Sequence, residues 1–214
     1  MVRWLVRWSL CLALILMGIS ACAQTEFSAE MYDLQKGETS QAKMYLGKDK
    51  IRIEPTKKEP RGGGVIIINS ATQTSIVLMD QQHMYMEMPQ QMARQRNPYA
   101  YSFVPIGDIE GACSDWAQQY HTNGASCHKV GSDTVNGRSA VKFEGKDSNG
   151  DPTAFWVDPK LRFPIKVQGK NTNWELRSIQ EGAQPASLFE VPAGYKKFDL
   201  PGMGNMGGMM QRPQ

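Results

Sequence analysis

TVNGRSAVKFEGK, residues 134–146, folds back on itself when read as backbone. Asn136 and Gly137 both tolerate positive φ, which a two-residue type I′ turn requires of both its central positions, so the flanking residues are predicted to pair as a hairpin. A hairpin here constrains the segments after it. PTAFWVD (152–158), FPIKVQG (163–169) and NWELRSIQ (173–180) are short runs rich in aromatic and β-branched residues. Asp158-Pro159 and Asn171-Thr172-Asn173 separate them as turns, and the expected result is an antiparallel meander.

The N-terminal half repeats the pattern. FSAEMYDLQ (27–35) alternates with period two, and AKMYLGKDKIRIEP (42–55) divides into strands over 43–46 and 51–54 around a Gly47–Lys50 turn. After a charged, glycine-rich loop (55–64), strands are expected over 65–69, 74–80 and 83–88, with too few residues between them for anything but tight connections. ASCHKVG (125–131) reads as a further strand. The alternation fails only between Pro89 and Tyr120, where Asp108 and Ser114 are expected to cap short helices. The fold class expected is mainly β with a minor α part (α+β): about ten strands in hairpin order forming one curved antiparallel sheet, an incomplete barrel, with the helical insert covering its concave face.

The chain has 214 residues. Arg3 and Arg7 precede an apolar stretch, Leu10–Met17, that is too short to span a membrane and reads as an export signal over residues 1–23. GISACAQTEF (18–27) can be cut in two ways. Ala21-Cys22-Ala23 is a small-x-small site giving a start at Gln24, whereas Ile19-Ser20-Ala21-Cys22 is a lipobox cut before Cys22. Only the lipobox gives the cysteine a use, so Cys22 is the expected lipidation site. Residues 24–199 then form the binding domain. The Gly/Met-rich 200–214 segment is expected to be a tail that is disordered in isolation.

The formal charge of +3 falls to +1 once Arg3 and Arg7 leave with the signal, so nucleic acid is excluded as a partner on electrostatic grounds. Cys113 and Cys127 remain as a pair in an oxidising compartment, where a disulfide is expected. A metal set made of these cysteines with His121 and His128 matches no closed zinc spacing. Residues 147–158 place acidic and amide side chains as in a calcium loop. Pro152 occupies the glycine position and Asp158 replaces the bidentate glutamate, so a solvated hairpin turn is expected instead.

His83, Met84, Met86, Met88 and Met92, with Met203, Met206, Met209 and Met210, present soft ligands suited to Cu(I). The preferred reading is that Met84, Met86 and Met88 share one side of a strand as a deformable apolar surface. No catalytic motif, metal ligand set or cofactor motif emerges, and a non-enzymatic role without cofactor is expected.

SLFEVPAGYKKF (187–198) is the most specific piece of a longer likeness that also takes in residues 134–146, FWVDPKLRFPIKVQ (155–168), NWELRSIQEGAQPA (173–186), FSAEMY, KIRIE and VLMDQQHMYMEM. Together they resemble an exported bacterial family of unknown function related to the lipoprotein carrier and receptor (Lol-type) superfamily. The resemblance implies a half-barrel closed by helices, with an apolar cavity that holds acyl chains in the carrier branch. It transfers no binding residue.

The function expected is binding of a hydrophobic ligand or lipid in the cell envelope. Candidate lining residues are Met84, Met86, Met88, Phe143, Phe155 and Ile165, with strand register deciding which of them point inward. The alternatives are periplasmic copper handling and a structural or regulatory role with an envelope protein partner, at the outer membrane if the lipid anchor is used. Leu188, Phe189 and Val191 are expected to form a short apolar edge that Pro192 ends, capping the core.

Overall fold

A computed structural model describes residues 25–199 except 36, 38, 58–63, 97–104, 121–126, 148 and 171. The export signal, Cys22 and the tail from residue 200 lie outside the described residues. The chain is mostly β: one mixed sheet of twelve strands, not closed into a barrel, with two short α-helices among the described residues. The first meander comprises β1 (Phe27–Asp33), β2 (Ser40–Leu46), β3 (Lys50–Pro55), β4 (Val65–Asn69), β5 (Thr74–Met79) and β6 (Met84–Pro89). The second comprises β7 (His128–Val135), β8 (Arg138–Lys146), β9 (Pro152–Asp158), β10 (Phe163–Gly169) and β11 (Asn173–Glu181).

Each meander is local, and one long-range pair joins them. β1 lies antiparallel to β11, with Met31 opposite Leu176 and Asp33 opposite Trp174, so the two chain-distant strands sit in the middle of the sheet. This leaves β6 and β7 at opposite sides, although only 38 residues (90–127) connect them. That connector has to cross the sheet. It carries α1 (Gln90–Arg96), which starts directly after β6, and α2 (Ala112–Tyr120), which rests on β9. Midway, the Ile106 N–H donates to the Arg162 carbonyl in the β9–β10 turn at 2.8 Å, pinning the crossing to the sheet.

Strand alternation sorts side chains onto two faces. Phe27, Ala29 and Met31 of β1 point to the face crossed by the connector, the inner face, together with Met44, Ile53, Phe143, Phe155, Ile165 and Trp174. Phe27 and Phe163 meet edge to face at 5.3 Å although β11 lies between their strands, a sign of how far the sheet curls. On the outer face Val65, Ile67 and Leu78 form a second, smaller cluster around Phe189.

The Asn136-Gly137 hairpin has the expected geometry, with φ of 48° and 78°. Between β8 and β9, Asp147 Oδ1 accepts the N–H groups of Asn149 and Asp151, in keeping with a hairpin turn there.

The structure corrects three local expectations. Ser114 lies inside α2 rather than capping it. Asp108 instead accepts the Gly111 N–H in the turn before the helix, and Asp115 in its first turn accepts the Gly107 N–H at 2.9 Å. The strand expected over 125–131 begins at His128 and runs on to Val135. Residues 186–189 form a 3-10 turn rather than a strand edge, and the ladder starts only after Pro192, as β12 (Lys196–Lys197) parallel to β6. Pairing by β12 makes the sheet mixed instead of purely antiparallel.

Candidate functional site

Strand register brings the candidate lining residues to one face. Met88 and Met86 pair with Ser75 and Val77 of β5, and alternation puts Met84, opposite Met79, on the same side. Met86 and Met88 join the inner cluster, as do Phe143, Phe155 and Ile165.

The six residues occupy two different environments. At the β8–β10 end, Phe143 stacks on Phe155 with ring centroids 5.0 Å apart, and Trp116 of α2 stacks on the other side of Phe155 at 4.4 Å. Phe143, Phe155 and Ile165 are at most 2% exposed, so this end is filled by the protein's own rings. The Cys113–Cys127 disulfide ties the start of α2 to the residue before β7 and so fixes the helix carrying Trp116. On chain-entropy grounds a bridge over a loop of this length contributes about 3 kcal/mol.

The β4–β6 end is looser. Met88 is buried under α1, next to Ala93, whereas Met84, Met86, Val77, Met79 and Ile66 are only half-buried. Ser75, fully buried in the same row, has a hydroxyl with no hydrogen-bond partner. Methionines make such a surface adaptable, because an unbranched thioether repacks at little cost.

His83 does not join the methionines. Its ring meets Tyr195 at 5.6 Å with the planes tilted by 60°, and Tyr195 packs with the outer cluster, so the histidine and the Met86–Met88 row lie on opposite sides of the sheet. Met92 falls in α1. Met203, Met206, Met209, Met210 and His121 lie outside the described residues. The disulfide removes both thiols of the Cys/His set from metal binding, and no group of three or more His, Cys, Asp or Glu side chains converges among the described residues.

The outer face also differs between the halves. Across β8–β11 and β1 it is a charged ladder. Lys142 and Lys166 lie over the Trp156 ring at 5.4 and 5.0 Å, Trp156 Nε1 donates to Asp133 at 2.7 Å, and Arg177 bridges Glu175 to the Tyr32 ring. The Trp156 hydrogen bond holds the Asp133 carboxyl below its ordinary pKa, and Lys142 does the same for Glu144. Near the hairpin tip Arg138 joins Asp158 at 2.6 Å and Glu181 at 2.8 Å. Hydrogen bonds from Lys160 and then Arg138 lower the Glu181 pKa. Burial works against the Arg138 charge, but the bonds to Glu181 and Asp158 outweigh it and raise its pKa.

Across β2–β6 the outer face carries the apolar cluster of Val65, Ile67 and Leu78, and the C-terminal motif covers it, as expected of a core cap. Phe189 sits so close to Gly47 that a Cβ there would lie 2.9 Å from its ring. Arg52 Nη1 donates to the Leu188 carbonyl at 3.0 Å, and the Tyr195 hydroxyl donates to Asp80 at 2.9 Å. Burial and then the Asp80 bond raise the Tyr195 pKa. Gly194, at φ 87°, makes the turn into Tyr195. A depression of about 450 Å³ lies elsewhere, at the far end of β7–β10 between His128, Glu144, Lys146, Thr153 and Gln168. It includes none of the six candidates.

These features define a class, an open β-sheet with one apolar face partly covered by its own connector. The chain belongs to the family described as Domain of unknown function (DUF4412), which matches residues 28–195. No curated protein matches the chain. A solved structure, an uncharacterized conserved protein from Thermus thermophilus, is similar over 83% of this chain and 91% of its own at 12% identity, with a TM-score of 0.52, which shows a shared fold. The structure of MucB in complex with MucA(peri) matches 80% of this chain and 56% of its own at 12% identity. The TM-score there is 0.41, and this chain spans just over half the length of that one. No helix among the described residues is long and apolar enough to cross a membrane.

Proposed function

We propose that the protein is a non-enzymatic cell-envelope protein that binds a hydrophobic ligand, an acyl chain or the lipid part of a lipoprotein, on the β4–β6 end of the inner face. The observation that carries this reading is the half-buried row of Met84 and Met86 beside Val77 and Ile66, on the same face as the filled Phe143/Phe155 end. Burial of an alkyl chain there supplies affinity at about 25 cal/mol per Å² before association costs. Shape and burial give selectivity for apolar chains over polar ones without a fixed charge.

Export is supported by the Arg3/Arg7 and Leu10–Met17 leader, and by a disulfide that suits an oxidising compartment. Lipidation of Cys22 tethers the domain to the outer membrane and makes it a receptor. A Gln24 start makes it a diffusible carrier. An envelope protein partner is the natural source of a lipidated ligand. Native mass spectrometry of detergent-free protein tests the binding claim: a co-purifying acyl lipid is expected, and protein of bare polypeptide mass at every expression level contradicts it.

A further inference from the structure

Three ranks of side chains cross the β4–β6 end of the inner face. Ile68, Ser75 and Met88 lie opposite one another, then Ile66, Val77 and Met86, then Met79 and Met84. Burial grades along them. The first rank, where α1 packs on β5 and β6, is at most 4% exposed, whereas the second and third are half-buried. Successive ranks are two residues apart, so the row runs about 13 Å from Met84 to Met88. One polar side chain interrupts it. Ser75 is 0% exposed, and its hydroxyl has no hydrogen-bond partner among the described residues. Burial there forfeits the bonds the hydroxyl makes to water, a cost that alanine at the same place does not carry. The other members of these ranks are Ile, Val and Met, so the strands supply no ionised group to balance a buried charge. The row is apolar along its length and ends, on its covered side, in one neutral hydrogen-bonding group.

We propose that the ligand of this site is a free, single-chain acyl compound with a small uncharged head, bound head inward. Its carbonyl oxygen accepts a hydrogen bond from the Ser75 hydroxyl, and its alkyl chain lies along Val77, Met86 and Met84 toward the less covered end. The inference rests on the ligand reading above and narrows it. A lipoprotein acyl chain is fixed to protein at its head and enters methyl end first, so it offers Ser75 nothing. An ionised fatty acid brings in a charge that a lone hydroxyl does not balance. An uncharged acyl head matches both the hydroxyl and the lack of ionised neighbours in the ranks. Met88, directly opposite Ser75, is the side chain that turns aside to admit the head, and an unbranched thioether repacks at little cost.

The test is displacement of the fluorophore N-phenyl-1-naphthylamine from the full chain by decanamide, decane and decanoate, at about pH 8 so that the carboxylate is ionised. Ser75→Ala and Ser75→Cys are run beside the wild type, the second because it keeps the side-chain volume while weakening the donor. Decanamide is expected to bind about fivefold more weakly to both variants, with decane unchanged, since only the amide uses the hydroxyl. Decanoate is expected to bind the wild type at least about tenfold more weakly than decanamide. A urea midpoint for Ser75→Ala at or above that of wild type shows that the fold is intact and that the loss belongs to the ligand. Equal decanamide affinity in all three proteins, or decanoate binding as tightly as decanamide, overturns the inference, and decane binding then keeps the broader ligand reading. Failure to bind the fluorophore, or no displacement by any of the three compounds, overturns both together.

Discussion

The two meanders obey the same alternation and are covered on opposite faces. In β8–β11 α2 covers the inner face at the Trp116–Phe155–Phe143 stack, and the outer face is a charged ladder. In β2–β6 the outer face packs against Phe189, Leu188 and Tyr195, and among the described residues α1 covers the inner face at its Met88 end. Alternation provides two candidate faces per strand, and segments distant in sequence decide which becomes core. The half whose inner face is least covered is the one that holds the half-buried methionines.

The contrast breaks most severely at the ring stack. Phe155→Ala removes the central ring of a filled region, and a loss of about 3–5 kcal/mol in urea denaturation is expected, against less than about 1.5 kcal/mol for Met86→Leu, which conserves volume. Next comes the bridge that holds α2. Cys113→Ser with Cys127→Ser is expected to cost about 2–4 kcal/mol while leaving the C-terminal cover on the other half in place, readable as unchanged hydrogen-exchange protection at Lys196 and Phe198. On the outer side of the first meander, Gly47→Ala displaces the Phe189 ring, and a loss of about 1–3 kcal/mol is expected from the overpacking.

Acid sharpens the same division. Asp133, Glu144 and Glu181 have lowered pKa values, and all three belong to the second meander. A carboxyl lowered by folding stabilises the native state fully above its unfolded value, near about 4, and that contribution disappears as pH falls through the folded value. The urea midpoint is therefore expected to fall between roughly pH 5 and pH 2, and Glu181→Gln is expected to flatten that limb. An acid limb identical to wild type in Glu181→Gln contradicts the assignment. The smallest effect is expected at Ser75→Ala. Removing a buried hydroxyl with no partner is predicted to be neutral or to stabilise by up to about 1 kcal/mol.

The strands were legible because their signals are local. Asn136-Gly137 requires positive φ at both positions, and VIIIN at 65–69 is bounded by glycine and polar residues and forms a strand over those same five positions. The face shared by Met84, Met86 and Met88 follows from period two alone. The disulfide followed from cysteine arithmetic. The β1–β11 pairing had no such signal, since nothing within FSAEMYD or NWELRSIQE names its partner at the other end of the domain. Nor did alternation reveal that Phe143 and Phe155 would be filled by Trp116 while the methionines were not, because that depends on where a crossing connector sets down its helix. From its sequence the C-terminal motif reads as a core cap. Its place on the outer face depends on Gly47 leaving room for Phe189, a contact between distant residues that neither segment encodes alone.

The central claim is that the Met84/Met86 end takes an apolar ligand and the Phe155 end does not. Titration of the full chain with the apolar fluorophore N-phenyl-1-naphthylamine tests it most directly, with Met84→Ser/Met86→Ser and the conservative Val141→Ile beside it. Saturable one-to-one binding is predicted, weakened about tenfold or more by the methionine double variant and unchanged by Val141→Ile, a tenfold loss corresponding to about 1.4 kcal/mol. Binding that is absent, or that survives loss of both methionines at full strength, contradicts the account.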